Sequence, residues 1–346
     1  MKAAVLYKDN DIRFEDVAVP VPGAHEVLVQ VKKSGLCGSD IPRVLHGGAH
    51  SYPIILGHEF SGIITATGDF VTTRKEGDRI ACAPLIPNMS APESIMGNYA
   101  LGKGYSFVGS RRPGGWAEYV AIPANNAVLL PDSISYTQGA FFEPLTVSLH
   151  ALNSMNFKGG SKVAITGMGT IGLLALQAVK ALGAIQTTVF DIDDSRLLTA
   201  AEYGADLCLN TKDTDFLTKA IAFSGGSGFD VCLETGGVPF TEILCLQAAA
   251  PKGFVMFIGT PHVPVILQPE IFELINRKEL LVSGSWMNYS APFPGREWEL
   301  AAHLFSRGLI QIDKLIDRDI PLAAAADAVN DLAIPGKVQG KILFSC

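Results

Sequence analysis

The stretch KVAIT-GMGTIG at residues 162–172 decides the fold. Its first five residues form an apolar run typical of a buried strand, and the leucine-rich residues 173–182 continue with the spacing of a helix. The pattern G-x-G-x-x-G therefore lies at the turn between a strand and a helix. A chain with 35 glycines also meets this spacing by chance, so the flanking strand and helix carry the prediction.

This context predicts a dinucleotide-binding unit. The first glycine permits a tight turn, the second lets the backbone approach a pyrophosphate, and the third lets the helix pack against the strand. The helix N-terminus offers free N–H groups to the phosphates. The expected cofactor contacts in this stretch are Gly167, Gly169, Thr170, Ile171 and Gly172.

Asp191 predicts which dinucleotide is bound. It ends the next apolar run, 19 residues after Gly172, where a carboxylate accepts hydrogen bonds from ribose hydroxyls. With Asp193 and Asp194 it places negative charge where NADP carries its 2′-phosphate, so NAD is the predicted cofactor. The competing interpretation is a glycine-rich turn followed by a surface aspartate. Further cofactor contacts are expected at Arg196, Ile258 and Gly259.

The chain shows two different sequence patterns, one in its first part and one from residue 161 onward. Residues 1–147 alternate short β-like runs with Gly and Pro, as in an irregular antiparallel domain. From residue 161 onward, apolar strands alternate with helical runs, which is typical of a parallel sheet covered on both faces. We therefore expect an α/β protein in which residues 148–282 form a doubly wound domain inserted into a β-rich domain of residues 1–147 and 283–346.

Composition excludes several classes of protein. The 346 residues include 27 Lys and Arg against 34 Asp and Glu, a net charge of −7, with no basic run. A nucleic-acid or anionic-membrane partner is therefore not expected. The uncharged stretches are too short to span a bilayer. Six scattered cysteines without a C-x-x-C pair fit a reducing compartment, and we expect a cytoplasmic protein.

A second motif predicts a metal site. Cys37, His58, Glu59 and Glu143 offer thiolate, imidazole and carboxylate groups. Each alone is as compatible with a buried cysteine, a core histidine or a solvated glutamate. Together they form the donor set of an open catalytic zinc site, in which one position is left for water or substrate.

Residues 57–68 match the signature G-H-E-x-x-G-x5-G, and the chain resembles the zinc-dependent medium-chain dehydrogenases, in particular their polyol and sugar-alcohol-phosphate group. The segments SGLCGSD (34–40), GSRR (109–112) and GSWMNYS (284–290) carry the same resemblance. It implies a GroES-like catalytic domain, an inserted Rossmann domain, one catalytic zinc per chain and NAD.

The resemblance also implies residue roles. Cys37, His58 and Glu143 surround the zinc, with Glu59 as a ligand or alternative ligand; which glutamate is the resting ligand stays open. Ser39 relays the proton of the reacting hydroxyl, and Asp40 lies behind His58 and fixes its ring.

The chain departs from many relatives at a lobe that carries a second, structural zinc on four cysteines. The corresponding positions here are Asn88, Ala91, Ser94 and Gly102, which cannot replace thiolates. We therefore expect no structural zinc and a lobe held by packing.

The implied reaction is the reversible oxidation of a secondary alcohol by hydride transfer to the nicotinamide. Guanidinium groups suit a phosphate, so a polyol phosphate is the expected substrate. The alternatives are an unphosphorylated polyol such as sorbitol or xylitol, or a silent dinucleotide-binding scaffold. The resemblance suggests a homo-oligomer, a dimer or tetramer, formed through the strand near residues 280–285. The candidate substrate contacts are Arg43, His50, Arg111, Arg112 and Asn288.

Overall fold

The computed structural model describes all residues, 1–346. In chain order, the strands are β1 Lys2–Lys8, β2 Asp11–Asp16, β3 Glu26–Gly35, β4 Ile54–Ile55, β5 Glu59–Thr67, β6 Arg79–Cys82, β7 Leu85–Ile86, β8 Ser106–Phe107, β9 Tyr119–Pro123, β10 Ala127–Leu129, β11 Lys162–Thr166, β12 Gln186–Asp191, β13 Leu207–Asn210, β14 Phe229–Glu234, β15 Ala249–Phe257, β16 Leu281–Gly284, β17 Ile316–Pro321 and β18 Lys341–Ser345. The helices are α1 Asp40–Leu45, α2 Pro92–Ile95, α3 Tyr136–Ala140, α4 Phe142–Ser154, α5 Thr170–Ala181, α6 Asp194–Glu202, α7 Phe216–Phe223, α8 Pro239–Ala248, α9 Pro269–Arg277, α10 Arg296–Ser306 and α11 Ala325–Ala333.

The chain folds into two compact units. The β-rich unit comprises residues 1–143, 289–306 and 312–346, and the parallel-sheet unit comprises residues 144–288 and 307–311. The sequence pattern predicts boundaries at 147/148 and 282/283 and does not anticipate the short return at 307–311. None of the helices combines the length and the apolar character that a membrane span requires.

The β-rich unit is built on a seven-stranded sheet with the order β10-β6-β5-β3-β18-β17, in which β9 also pairs with β3. β3 is its central strand, and along β3 the residues Val27, Val29 and Val31 are buried in alternation. They form one core with Phe60 and Ile64 of the neighbouring β5. The sheet therefore fixes the ends of β3 and β5 relative to each other.

The lobe at residues 84–105 is closely packed. An added methyl group at Gly102 would lie 2.5 Å from Ser94 Oγ and 3.1 Å from Ala91 Cβ. Asn88 donates from Nδ2 to the Lys103 carbonyl oxygen at 3.0 Å. Three of the positions that carry cysteines in many relatives, Ala91, Ser94 and Gly102, thus lie close together here, and the fourth, Asn88, is held by a hydrogen bond from its side chain to the Lys103 backbone.

The parallel-sheet unit contains six strands in the order β13-β12-β11-β14-β15-β16, all parallel to their neighbours. The predicted doubly wound sheet is confirmed, and the predicted strand at residues 162–166 is β11. The chain reverses its direction of winding between β11 and β14. In such sheets this switch point opens the crevice that binds the cofactor at the carboxyl ends of the strands.

Gly172 sets how closely α5 approaches β11. A methyl group there would overlap the Gly167 carbonyl oxygen and lie 2.8 Å from Thr235 Oγ1. That hydroxyl donates to the carbonyl oxygens of Thr166 and Gly167 at 2.9 and 2.7 Å, which joins the glycine turn to the end of β14. Gly169 differs, because an added methyl group would meet nothing within 4 Å.

We predict that Gly172→Ala lowers the free energy of unfolding by about 1–3 kcal/mol, because overpacking outweighs the better helix propensity of Ala. The matched control, Gly169→Ala, should leave the unfolding transition of the cofactor-free protein nearly unchanged. Thermal unfolding of both variants checks this. Equal midpoints for the two variants would contradict the packing assigned to Gly172.

Candidate active site

The structure brings three of the predicted metal ligands together in the β-rich unit. Cys37 follows β3, His58 precedes β5, and Glu59 is the first residue of β5. The two strands are antiparallel neighbours with Gly35 opposite Glu59, so the end of one meets the start of the other. One ligand atom from each of the three side chains lies within 4.8 Å of the other two.

Gly35 provides the space that this cluster needs. It is paired with Glu59 of β5 on one side and with Leu343 of β18 on the other. A methyl group at position 35 would overlap Glu59 Oε2. The missing side chain leaves room for the Glu59 carboxylate, and both of its oxygens accept hydrogen bonds at 2.7 Å from the ammonium group of Lys341, at the start of β18.

Lys341 is a site residue that the sequence pattern does not reveal. Its side chain is buried and also donates to the Leu36 carbonyl oxygen at 3.3 Å. Burial opposes its charge, but the fields of Glu59 and Cys37 outweigh burial and raise the pKa of Lys341. The only sequence clue is a lysine that opens the apolar run KILFS, since a buried ammonium group needs a buried partner.

The donor set of the cluster fits a bound cation. Burial first, and then the nearby Glu59 carboxylate, raise the pKa of the Cys37 thiol to about 12. The thiolate is the form that binds metal, and a divalent cation is the charge that stabilises it here. Thiolate, imidazole and carboxylate together are typical zinc ligands.

Asp40 organises the surroundings of the cluster. Its carboxylate is fully buried and accepts hydrogen bonds from the Cys37 backbone N–H at 3.1 Å and from Arg43 Nη1 at 2.9 Å. His58 Nδ1 lies 3.6 Å from Asp40 Oδ1, beyond hydrogen-bond distance, and has no other partner. A carboxylate on this side favours a proton on Nδ1, which leaves Nε2 to bind a metal.

Ser39 lies at the exposed edge of the cluster. Its hydroxyl donates to Cys37 Sγ at 3.3 Å and accepts a hydrogen bond from Arg43 Nη1 at 2.9 Å. The predicted proton relay residue is therefore in contact with one of the three clustered residues.

Glu143 occupies the first turn of α4. Its charge contributes to the raised pKa of Cys37, but its carboxylate is not among the three clustered ligand groups. Its role as a ligand stays a prediction.

Three of the candidate substrate contacts are Arg43, His50 and Arg111, and the charges of the two arginines act on His50. Arg111 lies on Tyr105, with the guanidinium carbon 4.3 Å from the ring centroid, and donates to the Tyr105 carbonyl oxygen at 3.0 Å. Partial burial, followed by the fields of Arg111 and Arg43, lowers the pKa of His50. Arg111 and His50 are both exposed, and the lowered pKa of His50 favours its neutral form.

The turn that carries Arg111 packs against the metal cluster. An added methyl group at Gly109 would overlap the Gly57 carbonyl oxygen and lie 2.9 Å from the His58 backbone nitrogen. Only a glycine permits this approach, which explains why the segment at 109–112 belongs to the site.

Two other candidates do not join this group. Arg112 forms an ion pair with Glu26 at 2.7 Å and donates to the Ala121 carbonyl oxygen at 3.2 Å. Asn288 is fully buried and donates to Thr146 Oγ1 at 2.8 Å. Because these contacts already engage both side chains, we leave them out of the substrate site.

The parallel-sheet unit contains the predicted cofactor residues at the carboxyl edge of its sheet. Gly167 adopts a φ of 87°, and Gly169 precedes Thr170 and Ile171 in the first turn of α5. The N–H groups of this first turn have no carbonyl partner within the helix, and they form the expected phosphate site.

Asp191 ends β12 and ties this turn in place. Its Oδ2 accepts from the Met168 backbone N–H at 2.6 Å, and its Oδ1 accepts from Ile192 and Asp193 at 2.8 and 3.0 Å. The predicted ribose-binding carboxylate thus also positions the glycine turn, a second role that its spacing does not indicate.

The remaining cofactor candidates lie on neighbouring elements. Arg196 is in α6, and its Nε is buried without a hydrogen-bond partner. Ile258 and Gly259 follow β15, and both donate through backbone N–H groups to the Glu234 carbonyl oxygen. Glu234 itself, missed by the motif search, accepts from the Gly236 and Gly237 N–H groups at 2.7 and 2.8 Å.

Known proteins match both units. Residues 23–132 match the alcohol dehydrogenase GroES-like domain, and residues 170–306 match the zinc-binding dehydrogenase family. Galactitol 1-phosphate 5-dehydrogenase of Escherichia coli K12 is 41% identical over 342 residues, 98% of this chain and 99% of its own. (R,R)-butanediol dehydrogenase of Bacillus subtilis strain 168 is 32% identical over 356 residues, 99% of each chain.

Solved structures agree. The crystal structure of galactitol-1-phosphate dehydrogenase from Escherichia coli superposes with a TM-score of 0.95 at 40% identity, covering 100% of both chains. A zinc-binding dehydrogenase of Sinorhizobium meliloti 1021, solved with NADP bound, superposes with a TM-score of 0.91 at 33% identity over 100% of this chain and 99% of its own. With both units matched along the whole chain, the protein belongs to the zinc-dependent alcohol and polyol dehydrogenases, a family of enzymes.

Proposed function

We propose that this enzyme catalyses the reversible, NAD-dependent oxidation of a secondary alcohol of a polyol phosphate, similar to galactitol 1-phosphate, to the ketose phosphate. The observation that carries this proposal is the exposed guanidinium group of Arg111, which forms no ion pair and lies on a turn whose Gly109 packs against the His58 backbone. The 41% identity to a galactitol 1-phosphate dehydrogenase supports it.

Cys37, His58 and Glu59 are the residues that would hold the catalytic zinc, with Glu143 as the alternative carboxylate. When bound, zinc supplies a Lewis acid that lowers the pKa of a hydroxyl group, and the nicotinamide supplies a hydride acceptor. Asp40 orients His58 and the Cys37 backbone, so that the donor atoms keep their geometry when a ligand exchanges.

Ser39 would take the proton of the substrate hydroxyl. Its oxygen lies 3.3 Å from Cys37 Sγ, so it is next to the ligand set at which the alcohol reacts. Its exposure gives the proton a path to solvent or to a cofactor hydroxyl.

Arg111 and His50 would hold the phosphate of the substrate. Stacking on Tyr105 restricts Arg111 to few rotamers, so less entropy is lost when its fork pairs with phosphate oxygens. His50 lies in the field of two arginines, and a phosphate anion would offset that field.

The parallel-sheet unit would bind NAD. Gly169 faces open space that would admit the pyrophosphate, and Thr170 and Ile171 would offer N–H groups. Gly167 and Gly172 allow the close packing of the turn and the helix. Asp191 would accept the ribose hydroxyls, and the unpartnered Nε of Arg196 is a nearby donor. Ile258 and Gly259 stay as further proposed contacts.

An unphosphorylated polyol is the second candidate substrate, because the relatives include a butanediol dehydrogenase of the same length. A silent dinucleotide-binding scaffold is disfavoured by the retained cluster of Cys37, His58 and Glu59, which such a scaffold does not need.

We also propose a homo-oligomer. β16 ends the parallel sheet as an edge strand, and its Leu281 and Val282 side chains are exposed. An apolar edge of this kind is typically covered by another strand. The six cysteines are all free thiols, which fits the proposed cytoplasmic location.

We predict that the enzyme as isolated binds one zinc ion per chain, and that Cys37→Ala or His58→Ala lowers both zinc content and turnover to near zero. The matched control is Cys208→Ala, which removes a thiol from β13 and should leave zinc content and turnover unchanged. Elemental analysis and NADH formation measure the outcome. Two zinc ions per chain, or full turnover in either site variant, would contradict the assignment.

We predict that kcat/KM for NAD exceeds that for NADP by about 100-fold or more, since a carboxylate beside a 2′-phosphate costs several kcal/mol. Asp191→Asn keeps a hydrogen-bond acceptor but removes the charge, so it should narrow the ratio. Steady-state assays with both cofactors decide this, and equal efficiencies in the wild type would remove Asp191 from the ribose site.

We predict that Arg111→Ala lowers kcat/KM for a polyol phosphate by about 10- to 100-fold, the effect of losing a charge-assisted hydrogen bond, and leaves free polyols nearly unaffected. Arg112→Ala is the matched control, because that neighbour is paired with Glu26. An NADH-formation screen over hexitols, pentitols and their phosphates measures both effects. Equal turnover of free and phosphorylated polyols by the wild type would favour the second candidate.

A further inference from the structure

Arg43 joins two residues of the metal site through one nitrogen. α1 begins at Asp40, so Arg43 follows Ser39 by four residues and Asp40 by three, the spacings at which helical side chains meet. Its Nη1 donates to Ser39 Oγ and to Asp40 Oδ1, both at 2.9 Å. This arrangement differs from the substrate contact that the resemblance to polyol dehydrogenases leads us to expect for Arg43.

We infer that Arg43 is a positioning residue, which locks Ser39 and Asp40 into one hydrogen-bonded network around the metal cluster. The inference rests on the proposed function for the role of Ser39 in turnover, whereas the role of Asp40 in metal retention follows from the contacts alone.

The first consequence concerns the direction of the Ser39 proton. A hydroxyl group has one proton and two lone pairs. Since Arg43 occupies one lone pair, the hydroxyl is held where it donates toward Cys37 Sγ at 3.3 Å. The second lone pair faces the substrate hydroxyl. As Ser39 Oγ takes the substrate proton, it releases its own proton to solvent or to a cofactor hydroxyl, and Arg43 keeps the oxygen in place during this exchange. Without Arg43, the exposed hydroxyl would rotate among positions that face solvent.

The second consequence concerns the charge of Asp40. This carboxylate has no exposed surface, and Arg43, whose side chain is 19% exposed, is its only ion-pair partner with a permanent charge. Removing one member of a buried pair leaves an uncompensated charge. Asp40 also holds the Cys37 backbone and faces His58, so its displacement would disturb two metal ligands.

The same contacts argue against Arg43 as the main phosphate anchor. A guanidinium group that neutralises a buried carboxylate has little net charge to offer an anion. Arg111 forms no ion pair with a carboxylate and is exposed, so it is the better anchor.

The test compares Arg43→Met and Arg43→Lys in the zinc-loaded enzyme, with Arg112→Met as the matched control. Three quantities are measured: kcat and KM, each for an unphosphorylated polyol and for its phosphate, and the rate at which a chromogenic chelator takes up zinc. Zinc release needs no turnover, so it reports on Asp40 independently of the reaction.

For Arg43→Met we expect a loss in kcat of about 10-fold or more with little change in KM, because the polyol carries no phosphate. Zinc release should accelerate about 10-fold, as is typical when the support of a metal ligand is lost. Arg43→Lys should restore part of the lost kcat and slow zinc release part of the way back to the wild-type rate. Arg112→Met should match the wild type in kcat and in zinc release. In a Ser39→Ala background, Arg43→Met should cause little further loss in kcat.

Three results would overturn the inference. The first is a loss of activity confined to phosphorylated substrates with an unchanged rate of zinc release, and the second is no change in kcat or in zinc release. The third is a loss of kcat in the Ser39→Ala background as large as the loss in the wild-type background. If the wild type forms no NADH from any free polyol or polyol phosphate, the proposed function fails. The rate of zinc release still decides whether Arg43 supports the metal site.

Discussion

The balance of buried charges around Cys37 is the constraint on which the metal site depends. Two ion pairs, Asp40 with Arg43 and Glu59 with Lys341, neutralise both carboxylates. Burial, followed by Glu59, raises the pKa of the Cys37 thiol to about 12, and the nearby Lys341 opposes this only in part. A divalent cation supplies the missing charge, so metal binding and ionisation of Cys37 become one event. The network is thus complete only when the metal is bound.

Glycines let both units assemble their sites from distant segments. In the β-rich unit, the missing side chain of Gly35 leaves room for the Glu59 carboxylate, which pairs with Lys341 of β18. In the parallel-sheet unit, Gly172 brings α5 against the turn at Gly167, and Asp191 holds that turn through a backbone N–H group. In each case the polar side chain that serves the chemistry also fixes the backbone around it.

Features carried by local patterns could be predicted, and features set by strand order could not. The strand at 162–166 and the glycine turn follow from a motif of a few residues. The grouping of Cys37 and His58 with a glutamate follows from the resemblance to the zinc-dependent dehydrogenases, which leaves open whether that glutamate is Glu59 or Glu143, and the structure groups Glu59 with them. The partner of Glu59 lies 282 residues away and depends on β18 joining β3. The arginines at 111 and 112 are indistinguishable in sequence, but the turn directs one toward Tyr105 and the other toward Glu26. Apolar patterning also does not reveal β13, because four residues are too few for a periodicity.

X-ray absorption spectroscopy at the zinc edge tests the central claim most directly, because it counts the ligands of the metal. The account predicts one sulfur ligand at about 2.3 Å, from Cys37, with nitrogen and oxygen ligands at about 2.0–2.2 Å. Adding substrate should change the oxygen shell and leave the single sulfur in place. A zinc ion with no sulfur ligand, or with two or more, would contradict a site built on Cys37, His58 and a glutamate.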